Sequence, residues 1–137
     1  MIQDYKVYVA FIATNLVKNN YWPTSKFSMK SFSKTDYVDG VFLCDGQSDD
    51  ETVAIHQNAN IEKFSVVNCR KWDTALLTNK AYGEQITDIL RHFTEKKEKC
   101  VVFITSTEMF MHEALRGEFA MAINGLIYSD CNFFTPK

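Results

Sequence analysis

Five short apolar runs, spread along the whole chain, constrain its fold more than any other feature of the sequence. Each run is rich in β-branched or aromatic residues and is too short for a typical helix, so each predicts a strand. Because nearly every position within a run is apolar, we expect strands that are covered on both faces, as in a parallel sheet. The runs are KVYVAFIA (6–13), GVFLC (40–44), FSVVNC (64–69), CVVFIT (100–105) and GLIYS (125–129).

Helical patterns occupy the connections between the later runs. Ser48 followed by Glu51 is a capping-box pattern and predicts that a helix begins there. A helix is also predicted after residue 106, because the apolar residues there form one broad face, and Gly125 is expected to end it. The segment 73–99 predicts a helix whose apolar stripe ends in basic residues; the stripe contains Tyr82, Ile86, Ile89, Leu90 and Phe93.

The first connection, residues 14–39, is compatible with several structures. A short helix can begin near Leu16, but Pro23 is expected to stop it. The following KFSMKSFSK stretch is compatible with an extended piece, a helical turn or a loop. Its many aromatic side chains suit a dimer contact, a lid or ordinary core, and they are the reason that a homodimer is considered.

Strands that alternate with helices indicate βαβ units with right-handed crossovers. We therefore predict a single α/β domain over residues 1–137. The predicted architecture is a flavodoxin-like or Rossmannoid three-layer sandwich of about five mostly parallel strands in the order 2-1-3-4-5.

The charge balance excludes some classes of partner. The chain has 15 Lys and Arg residues against 17 Asp and Glu residues, a formal charge of -2. This balance is too even to build the positive field that nucleic acids or anionic membranes require. The N-terminal apolar run is too short for a membrane span and lacks a basic signal-peptide region. We expect a cytoplasmic protein that binds neither nucleic acid nor membrane.

Cysteines and histidines are scattered rather than clustered. No two cysteines form a CxxC pair, and three of the four begin or end predicted strands, so we expect buried core thiols in a reducing compartment. The histidines lie on predicted helices without ligand spacing, so neither a metal site nor a resident cofactor is predicted. These residues are Cys44, Cys69, Cys100, Cys131, His56, His92 and His112.

Ligands of open α/β sheets bind beyond the carboxyl ends of the strands. The loops that follow the predicted strands supply hydroxyls, carboxylates, an arginine, a tryptophan and helix N-termini, which together suit a nucleotide-like ligand. Neither a dinucleotide fingerprint nor a P-loop is present, so hydride transfer and ATP hydrolysis are not expected. The predicted ligand-binding residues are Thr14, Asp45, Gly46, Asp50, Arg70, Trp72, Thr105 and Ser106.

Some of these residues also have simpler interpretations. Trp72 either stacks on a base or closes the core as a lid. The DGQSDD loop (45–50) either contacts a ligand or only forms a turn and caps the next helix.

The segment KCVVFITSTEMFMHEALRGEFAMAINGLIYSD (99–130) resembles two families. It is similar to the strand, polar loop, glutamate-bearing helix and strand that close TIR and TIR-like domains, many of which cleave NAD. It also resembles the nucleoside deoxyribosyltransferases, whose helix carries a nucleophilic glutamate followed by small residues. Glu118, Ala120, Ala122 and Gly125 approximate that pattern.

A third resemblance covers GVFLCDGQSDDETVAIHQNANIEKFSVVNC (40–69). It is similar to the strand, glycine loop, aspartate and helix of SLOG nucleotide-binding domains, in which Gly46 and Asp50 would lie near the ligand. The glycine-rich turn that SLOG domains have after the first strand is replaced here by FIATN (11–15).

These resemblances imply chemistry at a sugar C1 from which a base departs. A carboxylate serves that chemistry by stabilising oxocarbenium-like charge or by forming a glycosyl intermediate. Glu118 is the candidate catalytic residue, and Glu113 and Glu108 are alternatives. The other interpretation is that Glu118 is solvated or paired with a basic neighbour such as Arg116.

Two functional hypotheses follow. The first is a small domain that binds or cleaves an N-glycosidic nucleotide or an NAD-derived ligand. The second is a non-catalytic protein-interaction or regulatory factor, for example a host-directed one, that uses the α/β frame only as a scaffold.

Overall fold

Four strands and four α-helices alternate along the chain in the computed structural model, which describes residues 1–72 and 78–129. The strands form one parallel sheet. In chain order the elements are β1 (Lys6–Ala13), α1 (Trp22–Ser33), β2 (Gly40–Asp45), α2 (Thr52–Gln57), β3 (Phe64–Asn68), α3 (Thr78–Glu95), β4 (Cys100–Ser106), a single 3-10 turn (Glu113–Leu115) and α4 (Arg116–Tyr128).

The strand order is β3-β2-β1-β4. The predicted α/β class with parallel strands is confirmed, but the described residues form four strands and the predicted order 2-1-3-4-5 is wrong. The observed order matches the first four strands of the classic dinucleotide-binding sheet. β3 is suited to the outer position because it has only five residues and exposes Ser65 and Asn68.

Two cores lie on opposite faces of the sheet, because successive side chains of a strand point to opposite faces. One face of β1 packs against α1 and α4, and the other packs against α3, which gives the predicted three layers. The first core includes Val7, Val9, Phe11, Met29, Phe32, Phe119 and Ile123. The second includes Tyr8, Ala10, Phe42, Ile89 and Phe93.

The fifth apolar run, GLIYS, is not a strand. It forms the last part of α4, and the helix continues through Gly125 to Tyr128. Phe119, Ile123 and Ile127 recur at helical spacing and pack against the first core. The prediction that Gly125 ends the helix is therefore wrong as well.

The first connection contains a helix that Pro23 begins rather than stops. Proline occupies the first turn of α1, where its missing N–H has no intrahelical partner to lose. The helix is anchored by Met29 and Phe32, which are core residues, whereas Phe27 is exposed.

The other two predicted helices form with altered details. α2 begins at Thr52 and not at a Ser48–Glu51 capping box, because the Ser48 hydroxyl donates to the Asp45 carboxylate instead. The predicted helix over 73–99 is confirmed for α3. Its buried positions are Ala81, Gln85, Ile89 and Phe93, while Tyr82 and Leu90 are exposed.

The described cysteines are free thiols, and the prediction that they are core residues holds for two of them. Cys44 and Cys69 are buried, and Cys100 is half-buried. Burial, with the nearby Asp88 and Asp45 charges, raises the pKa of the Cys69 thiol to about 11. Cys131 lies outside the described residues. No helix within the described ranges is long and apolar enough to cross a membrane.

The helical state of residue 125 has a direct test. Gly125→Ala should increase the free energy of unfolding by roughly 0.5–1 kcal/mol, because alanine favours a helix interior and nothing lies within 4 Å of the added Cβ. Chemical denaturation measures this change. Gly40→Ala is the matched control and should destabilise, because its Cβ would lie 3.0 Å from the Phe42 ring. A destabilised Gly125→Ala variant would contradict the extension of α4.

Candidate functional site

The loops that follow the strands meet at the carboxyl edge of the sheet, and Gly46 joins three of them. The Gly46 N–H donates to the carbonyl of Ala13 at 2.9 Å, and the Gly46 carbonyl accepts from the Trp72 N–H at 3.0 Å. The backbone after β2 is thereby tied to the end of β1 and to the loop after β3.

Gly46 is required by close packing rather than by an unusual backbone conformation. No described glycine has a positive φ. A Cβ at this position would collide with Thr14 Oγ1, and it would lie 2.5 Å from Gln85 Nε2 and 3.4 Å from Trp72 Cβ. Three predicted ligand-binding residues, Thr14, Gly46 and Trp72, therefore lie together, and the structure adds Gln85 from α3.

The side-chain amide of Gln85 is buried and unpaired. Gln85 is 1% exposed, and within residues 1–72 and 78–129 neither its Nε2 nor its Oε1 has a hydrogen-bond partner. Most buried polar groups are paired, and an unpaired one costs about 1–3 kcal/mol. A primary amide offers a donor and an acceptor side by side in one plane. The cluster therefore holds one donor and one acceptor that are unused among the described residues.

An aromatic pair lies beside this amide. The rings of Trp72 and Tyr82 meet edge to face, with centroids 5.0 Å apart. Tyr82 is 43% exposed and precedes Gln85 by three positions on α3, so the two side chains are neighbours on the helix surface. We call Thr14, Gly46, Trp72, Tyr82 and Gln85 the Gly46 cluster.

Backbone N–H groups of the loop after β1 already donate hydrogen bonds to side-chain oxygens of the loop after β2 and of the first residue of α2. In many α/β proteins such N–H groups hold a phosphate. Here they are satisfied within the chain, so this loop offers little to a phosphate. The pairs are Asn15 N with Ser48 Oγ at 2.8 Å, Leu16 N with Thr52 Oγ1 at 2.9 Å and Lys18 N with Asp50 Oδ2 at 2.9 Å.

Asp45 and Asp50 act within these loops. Asp45 is buried and accepts from the Ser48 hydroxyl at 2.5 Å. Burial alone would raise the pKa of Asp50, but hydrogen bonds from Thr52 and Lys18 outweigh burial and hold it below the ordinary value. The structure thus gives both predicted ligand-binding aspartates a role in turn formation, and their carboxylates further disfavour a phosphate nearby.

Arg70 lies apart from the Gly46 cluster and pairs with α3. Its Nη2 lies 2.9 Å from Asp88 Oδ1 and its Nε lies 3.1 Å from Asp88 Oδ2. The hydrogen bond from Arg70 is the main reason that the pKa of Asp88 is lowered. The pair lines a shallow groove of about 590 Å³ between β3 and α3, which Arg91, His92 and Glu95 also line.

Thr105 and Ser106 end β4, on the other side of β1 from Gly46. They pair in register with Phe11 and Ile12. Among the described residues, neither hydroxyl is hydrogen-bonded to the Gly46 cluster. Their predicted ligand contacts remain a prediction.

Glu118 lies near the amino ends of the strands, opposite the carboxyl edge. It is exposed in the first turn of α4. The carbonyl of Arg116 accepts from the hydroxyl of Tyr37, which precedes β2, and Asn124 accepts from Gln3, which precedes β1. The start of α4 is therefore near the amino ends of the strands. The structure does not bring Glu118 to the carboxyl-edge loops, and Glu108 and Glu113 are exposed as well.

A buried histidine joins α1 to α2 behind the carboxyl edge. His56 Nδ1 lies 2.7 Å from the carbonyl of Thr52, and Nε2 lies 2.8 Å from the hydroxyl of Ser25. The Thr52 carbonyl can only accept, so Nδ1 carries the proton. In the neutral ring, Nε2 is then an acceptor for the Ser25 hydroxyl, which also lies 2.9 Å from the carbonyl of Trp22. Both His56 and Ser25 are fully buried, so the pair serves the packing of the helices.

The part of the chain that the structure describes contains no group of three or more His, Cys, Asp and Glu side chains placed to hold a metal ion. No protein-family model, curated protein or solved structure matches the chain.

The neutral state of His56 predicts a pH dependence of stability. Burial lowers the pKa of His56 below 6.5, despite the opposing effects of the Thr52 carbonyl and the Asp50 charge. The unfolded chain therefore binds more protons than the folded chain below pH 6.5. The stabilisation from the neutral ring is full above that pH and is lost as the pH falls from 6.5 to the lowered pKa of His56. His56→Gln should flatten this decline between about pH 7 and 5 in denaturation experiments.

His92 also contributes to the decline of stability with falling pH, because burial and the Lys96 charge lower its pKa as well. A double His56→Gln and His92→Gln variant should be flatter than either single variant. An unchanged slope in His56→Gln would show that the buried ring does not carry the effect.

Proposed function

We propose that this protein binds a small planar heterocycle, a nucleobase or nucleoside, at the Gly46 cluster. The observation that carries the proposal is the buried amide of Gln85, which has no partner among the described residues. Binding would supply that amide with the hydrogen bonds that it lacks, so it would remove the free-energy cost of leaving the amide unpaired.

The geometry of the amide favours a base edge. Nε2 donates and Oε1 accepts in one plane, and a nucleobase edge offers the complementary acceptor and donor at matching separation. Glutamine pairs in this way with adenine through its N6 and N7 atoms. Adenosine is therefore the first ligand that we expect.

The aromatic pair supplies a stacking surface. Trp72 is half-buried and Tyr82 is partly exposed, so access to Gln85 requires these rings to move aside. A displaced ring can then stack on the bound base, an interaction worth about 1–3 kcal/mol. Gly46 has no side chain, so Thr14 and Gln85 can pack directly against its backbone.

The proposal concerns binding of the base rather than of a phosphate or cleavage of a glycosidic bond. Backbone N–H groups that would hold a phosphate are bonded to Ser48, Thr52 and Asp50. The Gly46 cluster itself contains no carboxylate to stabilise an oxocarbenium-like charge. Glu118 has no role in the proposal.

Calorimetric titration tests the ligand. Adenosine should bind the wild type, and AMP and NAD should bind no more tightly than adenosine because their phosphates gain no contacts. Gln85→Met should lose binding, since methionine keeps the volume but removes the donor and the acceptor. A hundredfold excess over Kd should also stabilise the wild type by about 2.7 kcal/mol.

Gln57→Met makes the same exchange at an exposed position of α2 and should leave binding unchanged. Gly46→Ala should weaken binding, because the added Cβ would displace the Gln85 amide and the Thr14 hydroxyl. The proposal fails if no nucleoside or base binds, or if Gln85→Met binds as well as the wild type.

The stability of Gln85→Met should change in the opposite direction to its binding. Removing two unpaired polar atoms from a buried site should increase the free energy of unfolding by about 1–3 kcal/mol. Chemical denaturation without ligand measures this change, and Gln57→Met should stay within about 0.5 kcal/mol of the wild type. A destabilised Gln85→Met variant would indicate that the amide has a structural partner.

A further inference from the structure

The outer edge of β4 presents unpaired backbone groups. Lys99 accepts a hydrogen bond from the Lys6 N–H at the start of the β1–β4 ladder. Because the direction of backbone groups alternates along a strand, the odd-numbered residues face β1 and the even-numbered residues face outward. The outward residues are Cys100, Val102, Ile104 and Ser106, and no described strand pairs with them.

Nothing on β4 protects this edge. Natural edge strands are kept from pairing by charges, prolines, bulges or short length. The seven residues CVVFITS contain no charge and no proline. The same edge also presents apolar side chains, since Val102 and Ile104 are only partly buried against the core on the α3 side.

The other edge of the sheet is protected in the usual ways. β3 has five residues and exposes Ser65 and Asn68. Just beyond its end, the N–H of Arg70 is bonded to Asp88, whose carboxylate also pairs with the Arg70 guanidinium. The outer edge of β3 is therefore protected from pairing with another strand, whereas the outer edge of β4 is not.

We propose that two copies of this chain associate through β4, which pairs antiparallel with β4 of the second copy. A two-fold axis at Phe103 places Val102 opposite Ile104 of the second copy and Cys100 opposite Ser106. Val102 and Ile104 then form hydrogen-bonded pairs that exchange two N–H···O bonds. The Ser106 N–H can donate to Cys100 of the second copy, whereas the Ser106 carbonyl already accepts from the Met109 N–H at 3.4 Å. The two sheets become one continuous sheet.

The second copy is the occupant that this edge fits best. The partner must be an extended, uncharged segment with its own free backbone groups, and β4 itself has these properties. Pairing of β4 with β3 of another copy would be open-ended, and the polar groups at β3 oppose it. The β4–β4 contact is self-complementary and closes as a dimer.

Sedimentation equilibrium over about 1–100 μM tests the dimer, since mass action makes the dimer fraction depend on concentration. The wild type should be dimeric at the upper end. Val102→Pro should be a folded monomer, because it removes an outward N–H that β1 does not use, and proline is tolerated at such edge positions. Circular dichroism checks that the variant is folded.

Val66→Pro makes the same exchange on β3. Lys63 and Cys69 are bonded to β2, so by alternation the Val66 N–H faces outward, and this variant should remain dimeric. Val102→Lys keeps the backbone N–H but places a charge beside the two-fold axis, and it should also be monomeric; it decides the question if Val102→Pro does not fold. A wild type that is monomeric throughout, or a dimer that survives both Val102 variants, overturns the proposal.

Discussion

The central strand β1 is hydrogen-bonded on both edges and buried on both faces, and the other elements are arranged around it. At its amino end, Asp39 accepts from the Val7 N–H and pairs with the amino group of Met1 at 2.9 Å. At its carboxyl end, the Ala13 carbonyl accepts from Gly46. The Asp39 side chain and the Gly46 backbone, which flank β2, thus fix the two ends of β1, and the helices cover what remains apolar on its two faces. The fold depends on satisfying this one strand completely.

At the carboxyl edge, the polar groups described above are likewise hydrogen-bonded within the chain, with one exception. Oxygens of Ser48, Thr52 and Asp50 satisfy the neighbouring loop, which leaves Gln85 as the buried amide without a described partner. The proposed base-binding function rests on this contrast: the rim satisfies its own N–H groups, which disfavours a phosphate, and the one unsatisfied group is a neutral planar amide. Anion-binding sites in sheets of this order instead keep such N–H groups free.

Much of this fold is predictable from the sequence, and the misses have physical causes. Four apolar runs became strands because each contributes side chains to the cores on the faces of the sheet, but GLIYS has the same composition and is helical because Phe119 and Ile123 set the period upstream. Glu118 is the candidate catalytic residue on a local pattern alone, and that pattern does not indicate where in the fold the residue lies. Its position is set instead by residues 107–115, which lead the chain along α1 through the Ser28 hydroxyl and the Ser31 hydroxyl. Gln85 was missed because a polar residue within a helix suggests solvent; its signal was its spacing between Ala81 and Ile89.

The position of β4 beside β1 has a consequence for the newly made chain. Among the described residues, the first strand in the sequence pairs with the last, since Lys6 lies opposite Cys100. During synthesis β1 can join β2 and β3 as they emerge, but its other edge, at Tyr8, Ala10 and Ile12, must wait until most of the chain has left the ribosome. Such long-range pairing is slow, and it leaves the unpaired backbone groups of an apolar strand open to other chains. The contact between β1 and β4 is therefore expected to form late and to be the step of folding most exposed to aggregation.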